Sequence, residues 1–217
     1  DAEMLTLDLA DSLTVSAAAA TRLTVSGPFG GGLSTDASNL VVRALDVVGR
    51  AAAVHLDKHI PHGGGLGGGS ADAAAILRWA GVDDPAVAAD LGADVPFCLI
   101  GGRARVTGIG ELVDPLAHVE RTVTLVVPPL HVSTPAVYRA WDELGGPTAV
   151  GPNDLEPAAI AVEPRLDEWR DRIAELSGTT PMLAGSGATW FVEGRRDDAL
   201  GALSGEGAIV VVCRAAP

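Results

Sequence analysis

Between Pro61 and Ala74 the chain reads PHGGGLGGGSADAA, and six of the seven residues from 63 to 69 are glycine. Glycine loses more backbone freedom on folding than any other residue. A run this dense in a foldable chain therefore needs a compensating interaction. Close approach of the backbone to a ligand, with N–H groups pointing inward, supplies one. The flanks favour this reading. Val54 and Leu56 alternate with His55 and Asp57, a strand pattern that runs to Ile60-Pro61. Ser70-Ala71-Asp72-Ala73-Ala74 then opens a helix expected to reach about Ala80. A helix N-terminus carries partial positive charge and unpaired N–H groups, which together attract phosphate. Pro61, His62, Gly63, Gly64, Gly65, Leu66, Gly67, Gly68, Gly69, Ser70 and Ala71 thus form a candidate phosphate cradle made mostly of backbone. No Gly-Lys-Ser/Thr follows, so the loop is not a Walker A sequence. Nor does it fit the dinucleotide fingerprint GxGxxG, which needs an acid about 20 residues on within a βαβ unit.

Composition narrows the ligand. The 217 residues carry a formal charge of −13, with no Lys/Arg run. A nucleic-acid backbone would be repelled, so no nucleic-acid partner is expected. Lysine occurs once, at Lys58. Any grip on phosphate must come mainly from backbone N–H groups and arginine. The length suffices for one large domain or two small ones, and the 47% of hydrophobic residues can bury a core of normal size. No apolar stretch nears the roughly 20 residues of a membrane span, and no signal peptide opens the chain. Cys98 and Cys213 read as reduced core thiols of a cytoplasmic protein. The chain begins with Asp rather than Met, which reads as a piece of a longer protein.

Along the chain, Leu5, Leu7 and Leu9, then Leu13 and Val15, suggest two strands around a turn at Ala10-Asp11-Ser12. Leu23 and Val25 suggest a third. Ser38 is expected to cap a helix with the stripe Leu40, Val41, Ala44, Leu45 and Val48. Asp83-Asp84-Pro85 marks another helix start. Strands are expected around Ala104–Val106 and Leu112-Val113. A composition shift near 115–121 suggests a boundary, giving domains 1–120 and 121–217. The second half runs β-α-α-β-α-β, with helices at Pro135–Leu144, Ala158–Leu176 (one or two, interrupted at Pro164) and Asp197–Leu203. This is the order of a small α+β sandwich.

Asp94 lies in LGADVPF, read as a turn just past a helix and locked by Pro96. Its apolar neighbours Ala93, Val95 and Phe97 would raise its pKa and suit it to accept a proton from a hydroxyl. A plain turn aspartate is the competing reading. Ser70 fits a phosphate donor or Mg2+ contact, and equally an N-cap. Asp72 reads as a residue that favours the helix dipole. His55, His59 and His62 show no metal-ligand spacing and read as solvated or locally bonded; no metal cage is expected.

The loop PxxxGLGGGSxDAA resembles the second signature of the GHMP kinases. STDASNLVVRA (34–44), LGADVPF (91–97), GIGE (108–111), VSTPAVY (132–138), NDLE (153–156) and AGSGAT (184–189) resemble that family's motifs in its own order. The resemblance implies an α+β GHMP kinase fold, with a ribosomal-protein-S5-like N-terminal domain and a ferredoxin-like C-terminal domain. It implies ATP and Mg2+, and transfer of phosphate to the 2-hydroxyl of 4-diphosphocytidyl-2-C-methyl-D-erythritol, by a monomer or homodimer. In the resemblance Asp94 is the catalytic base and Asn39 lies near the adenine. Gly185, Ser186 and Gly187 form a second glycine loop, with a tight turn as its alternative. Tyr138 stacks on the cytosine, with a buried helix face as its alternative, and Thr134 and Pro135 lie beside it. Two departures matter. Ala71 stands where the family usually has a second Ser, removing one hydroxyl contact. The family's Pro-Ala-Lys-[Ile/Leu]-Asn and Gly-Tyr-His segments do not occur here. A homoserine or sugar kinase, or a non-catalytic nucleotide-binding relic lacking that Lys segment, are the alternatives.

Overall fold

The computed structural model describes residues 1–146 and 151–217, which group into two compact units. The first unit comprises Asp1–Pro61, Gly67–Glu120 and Ala215–Pro217. Its early strands are β1 (Ala2–Leu5), β2 (Ser12–Ala17), β3 (Arg22–Ser26) and β4 (Ala52–Asp57), with helix α1 (Leu40–Val47) between β3 and β4. Helices α2 (Gly68–Ala80), α3 (Pro85–Ala89) and α4 (Val95–Ile100) come next, then β5 (Arg103–Thr107) and β6 (Leu112–Leu116). One sheet has the order β2-β4-β3, with β2 antiparallel and β3 parallel to β4. Helix α1 makes the crossover that a parallel pair requires. The other sheet is antiparallel, in the order β1-β5-β6.

Periodicity sets the core. In β4 every second residue (Ala52, Val54, Leu56) is buried. Val41, Val42, Ala44 and Leu45 of α1 and Ala73, Ala74, Ile76 and Leu77 of α2 complete the same cluster. Full burial of each large aliphatic there contributes roughly 1.5–3 kcal/mol.

The second unit comprises His62–Leu66 and Arg121–Arg214. It holds β7 (Thr122–Val127), α5 (Thr134–Glu143), α6 (Glu156–Val162), α7 (Arg165–Ser177), β8 (Met182–Leu183), β9 (Trp190–Glu193), α8 (Asp197–Leu200) and β10 (Ile209–Arg214). Its antiparallel sheet runs β10-β7-β9-β8. Counted within the unit, that is strand order 4-1-3-2 on a β-α-β-β-α-β chain, the ferredoxin-like arrangement. Central strand β7 is buried from Val123 to Val127, and Trp190, Leu166 and Ile173 fill the core beside it.

Several expectations need correction. Asn39, not Ser38, caps α1. Helix α2 begins at Gly68, two residues before Ser70, so Ser70 is not its N-cap. Asp94 does not sit in a plain turn; it opens the short helix α4, whose first turn contains Pro96. Pro tolerates that position because its missing N–H would have no intrahelical partner there. The interruption expected at Pro164 is present, with α6 ending before it and α7 beginning after it. The two-residue strand β8 is too short to show an alternation in sequence.

Candidate functional site

Gly67 stands at the root of α2 with φ 66°, in the left-handed region that glycine alone adopts at no cost. The first intrahelical bond runs from Ala71 N to Gly67 O, at 2.9 Å. The N–H groups of Gly68, Gly69 and Ser70 therefore lie ahead of the helical ladder, and Gly67, as the N-cap residue, has no side chain to cap them. Thirteen residues of helix stand behind this end, so its dipole is fully developed. The site suits a polyanion by its backbone alone. Ser70 is the third helical residue and Ala71 the fourth.

Beneath this end lies a feature that no sequence pattern announces. Lys58 is 2% exposed. Its Nζ donates to Asp11 Oδ2 and, at 2.9 Å, to Asp72 Oδ2. The other oxygen of Asp11 accepts from the backbone N–H groups of His59 (2.6 Å) and Ile60 (2.8 Å). Asp72 is the fifth residue of α2 and points inward, so its expected part in the helix dipole gives way to an ion pair. Burial pushes its carboxyl up to about 6, against the pull of Lys58 and with added repulsion from Asp11. Asp11 and Lys58 are 47 residues apart, and no local pattern could join them.

Asp94 is half-buried and its side chain makes no capping hydrogen bond. Burial holds its carboxyl above the usual carboxylate range. The GIGE segment supports this position from behind. Gly110 adopts φ +114° and its α-carbon backs onto the Ala93 carbonyl so closely that a Cβ could not fit. Asn39 is engaged locally: Oδ1 accepts from Val41 N (2.9 Å) and Nδ2 donates to Ser34 O (2.7 Å).

In the second unit, the His62–Leu66 stretch packs on the Gly185–Gly187 turn. Thr189 N donates to Gly64 O at 3.2 Å. Gly65 has φ +74°, and a Cβ there would stand 2.7 Å from the carbonyl oxygens of both Ala184 and Gly187. The Gly185–Gly187 segment is thus a tight turn between β8 and β9, and also the wall on which the first loop rests. Ser186 is buried, and its hydroxyl lies 2.8 Å from that of Thr134. Asn153, another residue to which the sequence alone assigns no role, donates to Leu183 O (2.9 Å) and Gly185 O (2.8 Å) and pins the turn. Thr134 and Pro135 open α5 and are exposed. Tyr138, one turn on, is 53% exposed; the buried-face alternative fails, since Val137 takes the inward position.

Among the described residues no group of three or more His, Cys, Asp or Glu side chains is placed to hold a metal. His55 bonds to Thr24 and Ser26, and His59 to Asp57, as local bonding predicts.

Residues 39–102 match the GHMP kinases N terminal domain. The 4-diphosphocytidyl-2-C-methyl-D-erythritol kinase of Paracoccus denitrificans is 37% identical over 210 residues, covering 88% of this chain and 76% of its own length. The chain belongs to this kinase family. A crystal structure of 4-(cytidine 5'-diphospho)-2C-methyl-D-erythritol kinase superposes with TM-score 0.75 at 32% identity, covering 99% of this chain and 90% of the other. A homoserine kinase from Cytophaga hutchinsonii, with TM-score 0.65 at 17% identity over 98% of this chain and 88% of its own, shares the fold. The α+β fold is therefore that of the GHMP kinases. The match over 39–102 takes in Asn39, the glycine loop and Asp94.

Proposed function

We propose that this chain transfers the γ-phosphoryl group of ATP to the 2-hydroxyl of 4-diphosphocytidyl-2-C-methyl-D-erythritol, a step in making isoprenoid precursors by the non-mevalonate route. The observation that carries the ATP half is the uncapped N-terminus of α2 behind the glycine run. Phosphoryl transfer asks the protein chiefly for positioning and charge stabilisation. In this reading the N–H groups of the loop and of Gly68, Gly69 and Ser70 donate to phosphate oxygens. Mg2+ would come with the nucleotide and neutralise phosphate charge, and the Ser70 hydroxyl would be its protein contact. Asp94 takes the proton of the attacking hydroxyl as the new O–P bond forms and the bond from γ-phosphorus to the bridging oxygen breaks, releasing ADP. A carboxylate left without a capping bond, its proton affinity raised by burial, suits that task. Asn39 is assigned to the adenine. Thr134, Pro135, Tyr138, Gly185, Ser186 and Gly187 are assigned to the cytidylyl substrate. The exposed Tyr138 ring is open to stacking, which contributes roughly 1–3 kcal/mol per base. No helix among the described residues is long and apolar enough to cross a membrane, and a cytoplasmic location fits this reading.

The test is a panel of acceptors with ATP. The cytidylyl polyol should be phosphorylated in strong preference to homoserine and free sugars. Preference for homoserine or a sugar would overturn the assignment.

A further inference from the structure

Lys58 is the one lysine of the chain, and every other cationic side chain apart from histidine is arginine. It lies immediately before the phosphate loop, yet it is 2% exposed and its ammonium faces two carboxylates inside the first unit. We infer that the Asp11–Lys58–Asp72 cluster positions the phosphate-binding end of α2, holding the entry and the exit of the glycine run at one point. This rests on the ATP-binding reading above and adds to it the residues that set the geometry.

The entry is fixed first. The N–H of Lys58 donates to Ser26 O at 2.9 Å, and its carbonyl accepts from Phe29 N at 3.2 Å. Asp11 then takes the next two N–H groups, of His59 and Ile60, on one oxygen and the Lys58 ammonium on the other. The exit is fixed by Asp72, in the second turn of α2, which accepts from the same ammonium at 2.9 Å. That ammonium lies 2.9 Å from where a Cβ of Gly68 would stand, directly under the first helical residue. The six glycines between have no side chains with which to fix themselves. The arrangement is a poor stabiliser: two carboxylates share one cation away from water, and well-packed apolar groups often do as well or better. Its value lies in geometry. Lysine suits it because a compact ammonium offers three freely rotating donors to two carboxylates, where arginine presents a rigid planar fork.

Asp72→Asn keeps a carbonyl acceptor for Lys58 and removes the charge. Titration of the full chain with ATP and with AMP, which lacks the β- and γ-phosphates, separates positioning from folding. Asp72→Asn should bind ATP about tenfold more weakly or worse while its AMP affinity stays within about twofold. Asp11→Asn, which keeps the acceptor for the His59 and Ile60 N–H groups, should show the same split if Asp72→Asn does not fold. A folded variant with an unchanged ATP-to-AMP ratio overturns the inference, even if its Tm falls. Wild-type protein that binds ATP no better than AMP would instead overturn the kinase reading on which the inference rests.

Discussion

The two glycine loops of this molecule are built on opposite plans. The loop at 63–69 ends in a helix of 13 residues whose N-cap, Gly67, offers no side chain to its first N–H groups. The loop at 185–187 leads into a short strand and is pinned at three points: Asn153 holds Gly185 O, Thr134 meets Ser186, and Gly187 N donates to Ala184 O. One loop leaves its donors available and is steered from outside by a buried ion cluster. The other is a turn pinned from within its own unit, on which the first loop rests. Glycine content alone does not separate them. The difference lies in the element each loop leads into, a long helix in one case and a short strand in the other.

The same contrast recurs inside the first loop. Gly65 and Gly67 share a left-handed backbone, but a Cβ at 65 meets two carbonyl oxygens while at 67 it meets nothing within 4 Å. Gly65→Ala should therefore cost about 3 kcal/mol or more, since it adds a backbone clash to the conformational strain. Gly67→Ala should cost only the strain, about 1–2 kcal/mol. Urea denaturation of the two variants side by side checks this. Equal losses would break the distinction between a packed and an open half of the loop.

On the second loop, Asn153→Ala leaves the Leu183 and Gly185 carbonyls without their donor, and should destabilise by about 1–3 kcal/mol. Thermal unfolding measures it, and a neutral result would show that the turn holds itself. Tyr138→Ala should fall within about 0.5 kcal/mol of wild type in stability, because the ring is solvent-facing. It should nonetheless raise KM for the cytidylyl substrate while leaving that for ATP unchanged.

Much of this architecture is legible in the sequence because it is local. Alternation in β4 and the stripe of α1 are matters of period alone, and the glycine run before an Ala-rich segment locates the start of α2 to within two residues. Helix α4 escapes such a reading because six residues, VPFCLI, span less than two turns and show no period, while Pro96 reads as a turn. The cap of α1 is displaced by one residue because Ser38 and Asn39 are both good caps. Lys58 stands out in sequence by its rarity but not by its partners. Asp11 looks like a turn residue and Asp72 like a first-turn acid; only tertiary structure brings both to one ammonium. Asn153 and Gly110 are likewise visible as motif members, but their tasks depend on carbonyls distant in sequence.

The most direct test of the assigned chemistry is the turnover of Asp94→Asn with ATP binding measured on the same protein. The expected result is a fall in kcat of about 10²–10⁴-fold with ATP affinity unchanged. In the wild type, kcat should rise with pH as the base loses its proton, through a limb displaced above the ordinary carboxylate value of 3.8 because burial raises that pKa. Turnover that survives the substitution with the same pH profile would show that Asp94 is not the base.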